Sequence, residues 1–185
     1  MSLDLYYKHR PEMKSADLLQ WQSYTALGWV IRKFSRSTVN HSGQVLDLAL
    51  CKDLLDRMWT LEALEGGLDI NLISSRLEGY KGRVWWHPLL AEYDEFRTRI
   101  RNLALMRATE YGHKSYDFGG LFKNALGRVS ANAREYFCSE FVYLNCRDVG
   151  MPLGDWPREI APRPGDMDRF KWWGTGALIF DSENE

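Results

Sequence analysis

Short strand-like segments dominate the first half of the chain and place the strongest limit on its fold. They are rich in aliphatic and aromatic residues, are separated by turn residues, and read in chain order ADLLQWQS, HSGQVLDLAL, RMWTLEAL, GGLDINLI and GRVWWHPLL. Segments of this kind favour neighbouring antiparallel strands joined by tight turns. We therefore predict a small antiparallel sheet, in which the last three segments form a meander.

Helical patterns dominate the second half of the chain. Residues 91–112 carry apolar side chains spaced by four and three, as on one face of a helix: Phe96, Ile100, Leu103 and Met106. A further helix is predicted from about 132 to 149, where glycine and proline follow. Strands followed by helices indicate an α+β fold, and a length of 185 residues suits a single domain over 1–185.

Charge and cysteine content narrow the class of protein. Lys and Arg number 24 against 25 Asp and Glu, and this balance indicates no nucleic-acid partner. The apolar runs are far shorter than the roughly 18 residues of a membrane-spanning helix, and the first residues lack the apolar stretch of a signal peptide. Three cysteines, an odd number, fit a reducing compartment. We therefore expect a cytoplasmic protein with no membrane span, and the oligomeric state stays open.

Cys138, in the stretch YFCSEFVYLNC, is either a buried structural thiol or a nucleophile. A cysteine attacks as the thiolate, which a nearby histidine usually supports. His41 is the best placed histidine because it opens a strand directly after a turn-like stretch, although a solvated strand-start residue is the alternative. Glu62, on the polar face of the next strand, can orient the imidazole if the two strands pair. Glu65 competes with Glu62 for this role.

Four blocks of the sequence occur in an informative order. They extend from Asp17 to Gly150 and read ADLLQWQS with VIRKFSRSTVNHSGQVLDL, then WTLEAL, SYDFGGLF and YFCSEFVYLNCRDVG. In this order they resemble the circularly permuted papain-like amidases of the NlpC superfamily, in the YiiX-like branch related to lecithin retinol acyltransferase. The resemblance implies a permuted papain-like fold in which His41, Glu62 and Cys138 follow one another along the chain. It also implies that the nucleophile lies at a helix N-terminus.

The resemblance further implies a role for each residue of the site. Cys138 attacks a carbonyl carbon, His41 holds the thiol proton and later delivers it to the leaving amine, and Glu62 fixes the imidazole. The backbone N–H of Cys138, in the first turn of its helix, is expected to bind the oxyanion. A second donor is left open between Tyr24 and a residue near Asp17. The expected substrate contacts are Tyr24, Tyr116, Asp117 and Ser139.

One local pattern conflicts with a helix that begins near Cys138. Asn132 followed by Glu135 resembles a capping box, which would start the helix at Asn132 and place Cys138 in its second turn. Near the second turn the positive charge of a helix N-terminus is weaker. The resemblance favours the other possibility, in which residues 129–135 form a loop, and we adopt that expectation.

Together these features predict a cysteine peptidase or amidase that cleaves an amide bond through an acyl-thioester. The expected substrate is a small amide or a peptide, such as a cell-wall peptide, and neither a cofactor nor a metal is expected. One alternative is a thiol acyltransferase that acts on lipids. The other is a non-catalytic binding module that retains the fold.

Overall fold

The computed structural model describes residues 3–48, 58–64, 67–111 and 133–183. These residues form a six-stranded antiparallel sheet. Its strands, numbered along the chain, are β1 (Leu18–Ser23), β2 (His41–Leu46), β3 (Trp59–Leu64), β4 (Gly67–Leu72), β5 (Gly82–His87) and β6 (Ala177–Asp181). Across the sheet their order is β4-β3-β2-β1-β5-β6.

Helices accompany the sheet and confirm the predicted α+β class. They are α1 (Asp4–His9), α2 (Ala26–Ser35), α3 (Ile73–Leu77), α4 (Arg97–Tyr111) and α5 (Ala133–Asp148). Short 3₁₀ turns cover Arg10–Glu12, Ala91–Phe96 and Pro164–Arg169. In the described ranges, no helix combines the length and the apolar character that crossing a bilayer requires.

The meander consists of other strands than predicted. Strands β1 to β4 are neighbours in chain order, but β5 pairs with β1 rather than with β4. Helix α3 connects β4 to β5, and β5 begins at Gly82. A side chain at Gly82 would collide with the carbonyl oxygen of Gln22 on β1, so only glycine allows the strands to approach at this point.

Alternate residues of each strand point to opposite faces of the sheet, and apolar side chains cover both faces. On one face Leu18, Leu46 and Leu61 pack against residues of α4, of α5 and of the C-terminal stretch around Trp172 and Trp173. The opposite face packs against Tyr6 of α1 and against Ile73 and Leu77 of α3, and its strand residues include Leu19, Trp21, Val45 and Val84. Each face therefore buries its own core.

Helix α5 begins earlier than predicted. It spans Ala133–Asp148, so Cys138 is its sixth residue and lies in the second turn. The predicted position of the nucleophile at a helix N-terminus is therefore wrong. The residues Ala133, Arg134 and Glu135 all favour helix, and this local preference prevails over the loop that the resemblance implied.

Candidate active site

Strands β2 and β3 bring His41 and Glu62 together. Val45 pairs with Thr60, and the same antiparallel register places Gly43 opposite Glu62. A Cβ atom at Gly43 would lie 3.1 Å from Cγ of Glu62, so the missing side chain leaves the space in which the carboxylate extends. There Oε1 of Glu62 lies 2.9 Å from Nε2 of His41. The predicted pair therefore forms, and a glycine inside a strand makes room for it.

Helix α5 carries Cys138 to the imidazole of His41. The helix packs against β2 and β3, and Asn145, two turns after Cys138, donates a hydrogen bond of 3.0 Å to Gln44 of β2. The thiol lies within hydrogen-bonding reach of His41, whose Nε2 already faces Glu62. The side chain of His41 is 16% exposed and that of Glu62 is fully buried, while Cys138 is 4% exposed. The three groups thus meet at a largely buried site, in which the imidazole is the most exposed group.

The charges of Cys138 and His41 support each other. Burial alone would raise the pKa of the Cys138 thiol, but the charge of His41 and its hydrogen bond outweigh burial and lower that pKa. Burial would likewise lower the pKa of His41, whereas the Cys138 thiolate and the Glu62 carboxylate raise it to about 10. Both shifts act in the same direction, towards a thiolate beside an imidazolium.

Backbone N–H groups stabilise the Cys138 thiolate in place of a helix N-terminus. The N–H groups of Ser42 and Ser139 lie beside the sulfur and help to lower the pKa of the thiol. The N–H of Cys138 itself lies inside the hydrogen-bonded ladder of α5, because only the first turn of a helix leaves such groups unpaired. The expectation that this N–H binds an oxyanion therefore loses its structural basis.

Cys146 is a second thiol on α5, and its pKa can be compared with that of Cys138. It lies on the same helix and is fully buried. Burial is the only cause of its pKa shift, and it raises that pKa far above the ordinary value. The contrast shows that His41 and the neighbouring N–H groups, rather than the helix, lower the pKa of Cys138.

Arg76 is a charged neighbour of the site that the sequence did not reveal. It lies on α3, and its Nε donates a hydrogen bond of 2.7 Å to Oε2 of Glu62. Burial would raise the pKa of Glu62, but hydrogen bonds from His41 and Arg76 lower it, so the carboxylate is ionised. No motif or spacing links position 76 to position 62, because α3 reaches the site only through the pairing of β3 with β4.

The side chains of the other predicted site residues contact different groups or fall outside the described residues. Ser139 is fully buried and its hydroxyl donates a hydrogen bond of 2.7 Å to the carbonyl of Pro162, so this side chain holds the C-terminal stretch rather than facing a substrate. Tyr24 lies beside Arg83 and Glu183, next to β5 and β6. The remaining candidates fall outside the described residues: Tyr116, Asp117 and the competing carboxylate Glu65.

Asp17, near which a second oxyanion donor was sought, has a structural role. Its Oδ1 accepts hydrogen bonds from Arg97 at 2.6 Å and from the N–H of Leu89 at 2.9 Å. Its Oδ2 accepts one of 2.8 Å from the indole of Trp86. These bonds join β1 to the end of β5 and to α4, and they occupy the carboxylate fully.

No protein-family model matches the sequence, and a search of curated proteins finds no similar sequence. Membership of the NlpC superfamily therefore stays a prediction that rests on the order of short motifs.

Proposed function

We propose that this protein is a cysteine hydrolase that cleaves an amide bond through an acyl-thioester. The observation that supports the proposal is the contact of Cys138 with His41, whose Nε2 lies 2.9 Å from the buried carboxylate of Glu62. A nucleophile, a base and a group that orients the base are the parts that thiol-based acyl transfer needs.

In the proposed reaction the Cys138 thiolate attacks the carbonyl carbon of the substrate, and the carbonyl oxygen becomes an oxyanion. When the carbon–nitrogen bond breaks, the imidazolium of His41 gives its proton to the leaving amine. Water then attacks the resulting thioester while neutral His41 takes a proton from that water. The carbon–sulfur bond breaks, the carboxylic acid leaves, and Cys138 is again a thiolate beside the imidazolium. Glu62 keeps the ring oriented and stabilises the imidazolium in each half of the reaction.

The permuted papain-like fold is part of the proposal. Two features support it: His41, Glu62 and Cys138 follow one another along the chain in the order that the resemblance implies, and the helix of the nucleophile packs on the strand that begins with the histidine. The early start of α5 departs from the expected pattern. The backbone N–H groups that contact the sulfur supply the stabilisation that a helix N-terminus would otherwise give.

The proposal is tested with p-nitrophenyl acetate, an activated ester that acylates reactive thiols when the natural substrate is unknown. We expect a burst of nitrophenolate, a mass gain of one acetyl group that maps to Cys138, and slow turnover afterwards as the thioester hydrolyses. The Cys138→Ala variant should lose both phases. The Cys146→Ala variant is the matched control and should keep them, because Cys146 is a buried thiol on the same helix without a partner base.

Two results would count against the proposed hydrolase. The first is acetylation spread evenly over the cysteines, which would show that Cys138 has no special reactivity. The second is an acetyl group that stays on Cys138, which would show a reactive thiol without hydrolysis. A panel of short peptides with a fluorogenic anilide then tests whether the enzyme also cleaves amides.

A further inference from the structure

We propose that Arg76 is a positioning residue that keeps Glu62 ionised and turned towards His41, so that Cys138 remains a thiolate. This inference rests on the proposed function and adds a fourth residue to the site. The hydrogen bonds of Arg76 go to Glu62, and Glu62 in turn contacts His41, so Arg76 acts on the sulfur through these two residues.

The two oxygens of Glu62 have separate partners. Oε1 lies 2.9 Å from Nε2 of His41, while Oε2 accepts the hydrogen bond of 2.7 Å from Nε of Arg76. A second nitrogen of Arg76, NH2, lies 3.5 Å from Oε1. A carboxylate held at both oxygens cannot rotate freely, and Arg76 therefore fixes the oxygen that faces the imidazole.

Trp21 holds Arg76 in place. The guanidinium carbon lies 5.2 Å from the centre of the Trp21 ring, which is a distance at which a cation binds an aromatic face. Trp21 is fully buried, and its ring makes a T-shaped contact with that of Tyr80, with 5.1 Å between the ring centres. It also pairs with His41 across β1 and β2. One rigid indole thus fixes the positions of both the arginine and the histidine.

Burial explains why Glu62 needs a cation. Its side chain is fully buried, and a buried carboxyl without a positive partner tends to take up a proton. A protonated Glu62 would no longer stabilise the imidazolium, so the pKa of His41 would fall. The thiolate would then lose its counter-ion, and the pKa of Cys138 would rise. Removal of Arg76 should therefore change the titration of a sulfur on a different element of the fold.

The test is the rate at which iodoacetamide alkylates Cys138 as a function of pH, with the modified peptide identified by mass spectrometry. For Arg76→Met we expect the acidic limb of this profile to move up by about one pH unit or more, the shift that corresponds to roughly 1.4 kcal/mol. Arg76→Lys retains the charge and should restore most of the wild-type profile. Arg76→Gln removes the charge but retains a donor, and it replaces Arg76→Met should that variant not fold.

Arg83→Met is the matched control. Arg83 also binds a buried carboxylate, because its Nε lies 2.8 Å from Asp181. This pair joins β5 to β6, whereas the site lies on β2 and β3, on the other side of β1. Its loss should reduce stability without moving the alkylation profile. A second control uses Glu62→Gln protein, in which Arg76→Met should add no further shift because the residue through which it acts is already altered.

Each outcome decides between a positioning role and a merely structural one. An Arg76→Met protein with a lower melting temperature and the wild-type alkylation profile would overturn the inference. Shifts from Arg76→Met and Glu62→Gln that simply add would do the same. A wild-type profile that rises like that of an ordinary thiol would instead contradict the proposed function itself, so the two failures are distinguishable.

Discussion

Replacement of His41 by glutamine is expected to change the shape of the pH profile of Cys138 alkylation. In the wild type the rate should reach its plateau by about pH 7, because the charge of His41 and its hydrogen bond lower the pKa of the thiol. In His41→Gln the thiol has lost its cation and remains buried, so its pKa rises to or above the ordinary value. Its rate should then increase about tenfold per pH unit up to roughly pH 8.

The size of the effect depends on two opposing factors. The variant has far less thiolate at acidic pH, but a thiolate of higher pKa is a stronger nucleophile. At about pH 5.5 we expect the variant to react at least roughly 10-fold more slowly, and above about pH 7 the two profiles should converge or cross. A His41→Gln protein with the same profile as the wild type would show that the imidazole does not control the thiol.

The Glu62→Gln variant is expected to lose about 3–5 kcal/mol of folding free energy at neutral pH, the usual cost of breaking a buried ion pair by removing one partner. Glu62 is fully buried and binds both Arg76 and His41, so the substitution leaves two cations without their carboxylate. Urea unfolding followed by circular dichroism measures the loss. Asp181→Asn is the matched control for the loss of a buried carboxylate. It breaks the pair with Arg83 and should leave the reactivity of Cys138 unchanged.

The stabilisation by Glu62 should also depend on pH in a defined direction. The pKa of Glu62 is lower in the folded protein than its ordinary value of 4.5, so the folded state binds fewer protons than the unfolded state as the pH falls. The contribution is therefore fully present above this ordinary value and decreases as the pH falls towards the folded pKa. The difference in stability between wild type and Glu62→Gln should narrow at acidic pH. A difference that stays constant would contradict an ionised Glu62.

Local patterns in the sequence predicted the strands of the sheet and the pair of His41 and Glu62. The alternation in WTLEAL places Glu62 on the opposite face from Leu61, and the structure pairs this strand with the one that begins at His41. Neighbouring strands in sequence tend to pair, which is why this contact could be expected. The contact between Cys138 and His41 was predicted only from the resemblance, because no local pattern indicates that residues so distant in sequence lie together.

The inner face of α4 shows how apolar periodicity can mislead. The spacing of four and three included Met106, which is 51% exposed, whereas the buried residues of this helix are Ile100 and Ala104. Arg97 and Arg107 share that face and bind buried polar groups, Asp17 and Asn145 respectively. Ion pairs and hydrogen bonds thus help to orient the helix, and the spacing of apolar residues does not predict such contacts.

The start of α5 and the role of Arg76 could not be predicted for different reasons. Two signals disagreed about the helix, and the local one at residues 132–135 agreed with the structure, in which α5 begins at Ala133. No sequence pattern pointed to Arg76, because it meets Glu62 only after β4 has paired with β3 and α3 has followed. Charged groups brought together by tertiary structure leave no regular spacing in the sequence.

The central claim, that Cys138 is a thiolate paired with His41, is tested most directly by titration of the ultraviolet absorbance of the thiolate. The difference between wild type and Cys138→Ser isolates this one sulfur from the other cysteines. We expect the difference signal to appear with a midpoint below about pH 7, as for cysteines activated by a neighbouring cation. A midpoint at or above about pH 8.5, the value of an unperturbed thiol, would contradict the account.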